Sequence, residues 1–262
     1  MLPFVRVGPL LVQLPGLVLL AGIWIGMNFV EKEAVRLRLN ASTVLNMILF
    51  GLVGGLFGAR LVYALEHLGS YVAAPLSLFA LSASALHPMG GLLAGALIAY
   101  LYGRSIALPA RQTLDALAPG LAVFMIALGA ANFLSGNGYG SSLQAPWAIF
   151  LWGEYRHPTQ IYETLLAAAV FLVWEFLPAG PWPGARFWQV VALTAAARLF
   201  TEAFHADSII TPGGFRLAQL AALFVLAAAM FMSRRWSIAV SQTAFDAPSG
   251  RGPEPKSRPL PK

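Results

Sequence analysis

Seven apolar runs, each near the length needed to cross a bilayer, leave this chain few choices of fold. A spanning helix needs about 20 mainly apolar residues, because in hydrocarbon every backbone amide must find its partner within the segment. The runs cover residues 10–30, 44–65, 88–103, 116–134, 161–177, 187–204 and 215–232. Only 11% of the residues are charged while 58% are hydrophobic, against roughly a quarter charged in soluble domains. That balance excludes a soluble globular enzyme and a disordered chain. It predicts an all-α polytopic membrane protein with about seven transmembrane helices. The stretch 71–86 is rich in Ala and Ser and broken by Pro75, which predicts a re-entrant or surface-lying segment. With no cysteine in the chain there is no disulfide framework and no thiolate metal site or nucleophile.

Lysine and arginine placement sets the orientation. With the N-terminus outside and the C-terminus cytoplasmic, twelve of the seventeen basic residues fall on the inner side and only Arg6, Arg156 and Arg216 outside. The net charge of +6 therefore reads as a topology signal and calls for no nucleic-acid partner. Residues 1–236 form the transmembrane domain. The segment 237–262, rich in Pro, Ser and Arg, reads as a disordered basic cytoplasmic tail. The pairs Gly51/Gly55, Gly54/Gly58 and Gly91/Gly95 have the small-xxx-small spacing that lets helices approach closely.

Ionisable residues inside spans are costly and raise a functional question. Arg60 and Glu66 lie in the outer third of the second span, Glu163 opens the fifth, and Arg198 and Glu202 stand one turn apart on the sixth. His67, His87, His157 and His205 also fall at outer span ends, whereas Glu175 sits nearly alone toward the inner face. One polar layer at headgroup depth suits an amphipathic substrate entering from the bilayer. Arginine fits a phosphate there, since its planar fork donates two parallel hydrogen bonds and stays charged when desolvated. A buried ion pair that only locks the sixth helix is the plainer reading of Arg198 and Glu202, and interfacial anchoring that of the histidines. No histidine pair has metal-ligand spacing on one helix, and neither a metal nor another cofactor is expected.

Several segments, in order, resemble the prolipoprotein diacylglyceryl transferase family. His157-Pro158-Thr159-Gln160-Ile161-Tyr162-Glu163 is similar to its HPSQLYE motif, and Gly58-Ala59-Arg60-Leu61-Val62-Tyr63 to its GGRLGY stretch. Asn132-Phe133-Leu134-Ser135-Gly136, with Gly140 after it, resembles GRIGNFINGE, and Arg198-Leu199-Phe200-Thr201-Glu202 the RFxxE helix, with Asp207 near its REPD-like end. The chain departs at Gly129 and Asn137, where the family has arginine and glutamate, at Met89 for the histidine of HGGL, and at Pro15 for a tyrosine. The resemblance spans roughly residues 5–233. It implies a bacterial plasma (inner) membrane enzyme that moves the diacylglyceryl group of phosphatidylglycerol onto the lipobox cysteine thiol of a prolipoprotein signal peptide, releasing glycerol phosphate. It implies catalytic roles for Arg198 as phosphate clamp, Glu202 as its holder and His157 as base. Arg60, Asn132, Gly140, Gln160, Tyr162 and Glu163 become the substrate-binding set. The Gly129 and Met89 departures favour an alternative, a catalytically degenerate paralogue that binds lipid or a partner. A transporter is the third reading, opposed by the missing polar series toward the inner face.

Overall fold

The structure, a computed structural model, describes residues 4–7, 10–69, 86–178 and 180–245. Seven α-helices dominate it: α1 (Leu14–Arg36), α2 (Ala41–Glu66), α3 (Pro88–Ser105), α4 (Ala110–Ser135), α5 (Thr159–Phe176), α6 (Ala185–Thr201) and α7 (Leu217–Phe245). Among the described residues, α1, α2, α4 and residues 217–239 of α7 are long and apolar enough to cross a membrane. The helices α3, α5 and α6 have 18, 18 and 17 residues, or about 26 Å at 1.5 Å per residue. Outward faces of the bundle carry large apolar groups: Trp24 on α1, Phe57 on α2, Phe176 on α5 and Phe224 on α7 are all at least 70% exposed, the inside-out pattern of a lipid-facing surface.

The helix boundaries follow local chemistry. Asn40 caps α2 by accepting from the Thr43 amide at 3.2 Å, and His87 caps α3 by accepting from Gly90 at 3.0 Å, with Pro88 in the first turn. Helix α1 begins at Leu14, four residues later than the run at 10–30 suggested. Leu10–Gln13 is strand β2 instead, paired antiparallel with β1 (Phe4–Val7). Pro15 in the first turn of α1 suits the start, because an N–H there would have no partner within the helix and the ring presets a helical φ. At the other end α7 runs on to Phe245, past the boundary expected at 236. The segment expected to be re-entrant lies, but for Leu86, outside the described residues, as does the tail from 246.

Two packing modes hold the bundle together. Helices α2 and α3 meet backbone to backbone through the glycines singled out in the sequence: a Cβ on Gly55 would lie 3.0 Å from the Gly91 carbonyl, and one on Gly95 2.7 Å from that of Gly51. Helix α1 lies on α4 in the same manner, with Gly26 against the Gly120 backbone. Association in lipid draws on such close contact because no hydrophobic force separates helix from solvent there. Helices α4, α5 and α6 share a more conventional core of Ala118, Ala122, Val170, Trp174 and Val190.

The end of the bundle expected to face inward corrects one expectation. Glu175 is far from alone there, since Glu33, Asp115 and Arg186 are each at least 93% buried at the same end of the bundle. Arg186 lies 3.7 Å from Glu33, which also pairs with Arg36, and stacks over the Trp174 ring at 4.6 Å. The Asp115 carboxylate accepts the amides of Gly184 at 2.6 Å and Phe187 at 3.0 Å, tying α4 to the start of α6. These residues sit in helix end-turns that sequence alone assigned to loops. The α4–α5–α6 core fills the space between this cluster and the outer polar layer.

Candidate active site

The C-terminal ends of α4 and α6 and the N-terminal end of α5 converge on a cluster built around Arg198. Helix α6 carries Arg198, Glu202 follows at its C-cap four residues on, and the Arg198 guanidinium meets Glu202 Oε2 at 2.7 Å. It also pairs with Glu163 from the first turns of α5. Glu202 is 1% exposed, and Ser208 Oγ donates to its other oxygen at 2.5 Å. After Thr201 the chain tightens into one 3₁₀ turn (Glu202–Phe204), which places His205 against the same carboxylates. His205 Nε2 lies 3.1 Å from Glu163 Oε1 and its Nδ1 3.2 Å from Asp207 Oδ1. Arg216, just ahead of α7, donates to the Glu202 and His205 carbonyls and fastens the turn.

The glycine-rich loop after α4 is shaped by residues of the His157–Glu163 motif. Gly136 ends α4 in the left-handed region at φ +78°, which favours glycine. Thr159 Oγ1 donates to the Gly138 carbonyl at 2.6 Å and Gln160 Nε2 to that of Asn137 at 2.9 Å. Both side chains are fully buried, so Gln160 acts first as a brace for the loop. Gly140 bridges to His205 in antiparallel fashion, and the space a Cβ would need there is taken by His157. A hairpin of β3 (Ile149–Leu151) and β4 (Glu154–Arg156) follows, stitched back by Trp152 Nε1 to Gly136 and by Arg156 to Gly140.

Two cavities meet at Arg198. One, of about 210 Å³, lies between α4, α5 and α6 and is lined by Asn132, Glu163, Thr194, Arg198 and Thr201 on its polar side and by Leu128, Ala167 and Val170 below. The other, of about 400 Å³, lies between α4, α6 and α7 and is apolar, with Leu121, Val191, Ala222 and Val225 in its wall. Met125, Thr194 and Arg198 line both. A guanidinium with a partly polar recess on one side and an apolar recess on the other matches a molecule with a charged head and a hydrocarbon tail.

The sequence model of the prolipoprotein diacylglyceryl transferases matches residues 3–234. The chain belongs to this family. It is 26% identical over 209 residues to the phosphatidylglycerol–prolipoprotein diacylglyceryl transferase of Clostridioides difficile, covering 79% of this chain and 84% of that protein. To the enzymes of the same name from Synechococcus elongatus and Streptococcus pyogenes serotype M5 it is 24% and 25% identical over 242 residues each. Those alignments cover 85% and 88% of this chain and 83% and 93% of those proteins.

Of the residues expected in this transferase's site, Arg198, Glu202 and Glu163 form one cluster, and Asn132 lines the same cavity. His157 and Tyr162 form a separate pair beside it, with Tyr162 Oη 3.5 Å from His157 Nδ1 and the Phe204 ring 5.1 Å from the imidazole. Arg60 is half-buried on α2 and does not line the Arg198 cavity among the described residues. Gly129 is filled from the opposite side: a Cβ there would lie 3.0 Å from the Thr164 amide and overlap its hydroxyl. In this family member α4 and α5 therefore meet where relatives carry an arginine. Sequence reasoning placed His205 at the interface and left Ser208 and Arg216 aside. Helical spacing does not point to His205, because α6 ends at Thr201 and a 3₁₀ turn precedes it.

Proposed function

We propose that this chain transfers the diacylglyceryl group of phosphatidylglycerol to the lipobox cysteine thiol of prolipoproteins. The observation that carries this reading is Arg198, held by two carboxylates at the mouth of paired polar and apolar cavities. In the transfer a C–S bond forms as the carbon–oxygen bond to phosphate breaks, and glycerol phosphate leaves with the electron pair. Charge builds on the departing phosphate, where preorganised donors act most strongly. The Arg198 fork serves that phosphate, and Glu202 and Glu163 hold the fork. The thiol is a nucleophile only as thiolate, and His157 beside Tyr162 is the base we assign to its proton. Asn132 and the amides of the loop braced by Gln160 and closed at Gly140 offer neutral donors to glycerol oxygens. Arg60 is a second cation for the headgroup.

The seven helices are read here as seven spans of the bacterial inner membrane, with the N-terminus outside, the C-terminus cytoplasmic and 246–262 as the basic tail. The site then faces the outer leaflet. Gly129 favours a second reading, a lipid-binding paralogue without turnover, because one phosphate-binding fork of the family has no room here. The deciding assay uses purified protein in phosphatidylglycerol micelles with a lipobox peptide and follows glycerol phosphate release. Release that requires the peptide, and falls at least about 100-fold in Arg198→Lys because lysine lacks the planar fork, is the expected result. Near-normal release from Arg198→Lys removes the clamp assignment, and no release from folded, lipid-bound protein favours the paralogue.

A further inference from the structure

We propose that His205 is a positioning residue of this site that works as an imidazolium, occupying Glu163 and Asp207 so that the Arg198 fork stays turned toward an anionic headgroup. The inference rests on the transferase reading for its functional part and on geometry for its structural part. Both ring nitrogens of His205 face carboxylate oxygens, Nε2 toward Glu163 at 3.1 Å and Nδ1 toward Asp207 at 3.2 Å. A carboxylate only accepts, so each of these contacts needs an N–H. A neutral imidazole has one N–H and an imidazolium two. Only the charged ring satisfies both contacts.

Of the charges packed around it, the carboxylates favour that form, while Arg198, whose N–H faces the same Nε2, opposes it. Glu163 reaches it from α5, Arg198 from α6 at 3.3 Å, Asp207 from its own loop and Arg216 from the approach to α7, while Glu202 stands behind Arg198. The glycine loop brings only the Gly138 and Gly140 backbone. With His205 protonated, three cations face three carboxylates. With it neutral, the cluster carries an extra negative charge before any anionic lipid arrives, and Glu163 draws on Arg198 alone. His205 Nε2 and Arg198 Nη1 converge on the same Glu163 oxygen, so the imidazolium relieves the guanidinium of part of that carboxylate. Burial of the ring works against its charge, but the hydrogen bond to Glu163, the attraction of that carboxylate and the contact with Asp207 outweigh burial and the repulsion of Arg198. Its pKa is accordingly raised above the ordinary value of 6.5.

The sign is fixed by that direction. The charged form is present below the raised pKa and is lost as pH climbs through it, so transfer should fall on the alkaline side. In the micelle assay the expected result for His205→Gln is a drop in kcat/KM of roughly 10- to 100-fold, the scale of a lost charge-assisted hydrogen bond, together with loss of the alkaline limb. His205→Arg, a permanent cation, should keep activity to higher pH than the wild type. A second measurement needs no turnover: imidazole nitrogen NMR of the wild-type protein in detergent, with His205 assigned by its absence from the His205→Gln spectrum or, if that variant fails to fold, from the His205→Arg spectrum. Two protonated ring nitrogens at pH 7 support the proposal, and a neutral ring overturns it. Unchanged turnover and pH profile in His205→Gln also overturn it. A wild-type protein inactive at every pH rejects the transferase reading instead, and the NMR titration still decides the state of His205.

Discussion

Gly129 and Thr164 show how one residue pair can rewrite a site without emptying it. An arginine at 129 has no room from its first carbon on, because its Cβ would overlap the Thr164 hydroxyl. Thr164 is itself fixed, its Oγ1 donating to the Gln160 carbonyl at 2.7 Å, and Gln160 braces the glycine loop. Gly129→Ala should therefore push α4 and α5 apart and cost about 1–3 kcal/mol, as overpacking of a well-packed contact does. Gly129→Ala combined with Thr164→Ser, which removes one methyl but keeps the hydroxyl, should recover little, whereas pairing it with Thr164→Gly should recover most of the loss. Thermal unfolding in detergent reads the difference, and an unperturbed Gly129→Ala would mean that the helices part easily. The site was legible in sequence to the extent that charge in a span is legible: Arg198, Glu202 and Glu163 were found because each is costly in lipid. His205 was not, because an aromatic, titratable residue at a span end has an ordinary anchoring explanation, and only the 3₁₀ turn at Glu202–Phe204 swings it inward.

Elements were more legible than their ends. All seven helices begin within about six residues of the expected apolar runs, because span length and backbone satisfaction leave little freedom. The first run was read too long, since Leu10–Gln13 is apolar whether it forms helix or strand and hydropathy cannot tell them apart. The cap of α6 was invisible for a different reason. Its cap comes from Asp115, sixty-nine residues away, whose carboxylate takes the Gly184 and Phe187 amides. Gly184 adopts φ +93° and packs on Trp236 of α7, which in turn lies edge-on to Trp188 at 5.6 Å. Asp115→Ala would orphan two buried amides at once and should destabilise the protein by about 2–4 kcal/mol, at roughly 1–2 kcal/mol per lost cap bond. The nearby Trp182, Trp188 and Trp236 give a fluorescence signal for this end of the bundle. Early loss of that signal with intact Arg198-dependent release at low temperature would place the damage where the cap is. Unchanged unfolding would mean that water replaces the carboxylate.

At the scale of the molecule, two polar layers bracket one apolar core, and the question is which layer faces out. The layer at the ends of α4, α5 and α6 that holds Arg198 is tied to the hairpin β3–β4, where Trp147, Phe150, Trp152 and Tyr155 are each more than 60% exposed. Exposed aromatic residues of this kind collect at the membrane–water boundary. The opposite layer holds Glu33, Arg36, Asp115 and Arg186, and the loops beside it carry most of the lysines and arginines, the mark of a cytoplasmic face. The chain offers a clean test because it contains no cysteine. Tyr155→Cys lies on the hairpin, while Ser105→Cys lies in the exposed last turn of α3 and Arg235→Cys on an exposed position of α7 before its end at Phe245. One span, α4, separates positions 105 and 155, and an odd number of spans must separate 155 from 235. A maleimide that cannot cross membranes should label Tyr155→Cys in intact cells and the other two only after permeabilisation. The reverse pattern would put the Arg198 cluster on the cytoplasmic side, where a lipobox thiol emerging on the outer face could not reach it. Labelling of all three from outside would break the seven-span count, because residues joined by an odd number of crossings cannot share a face.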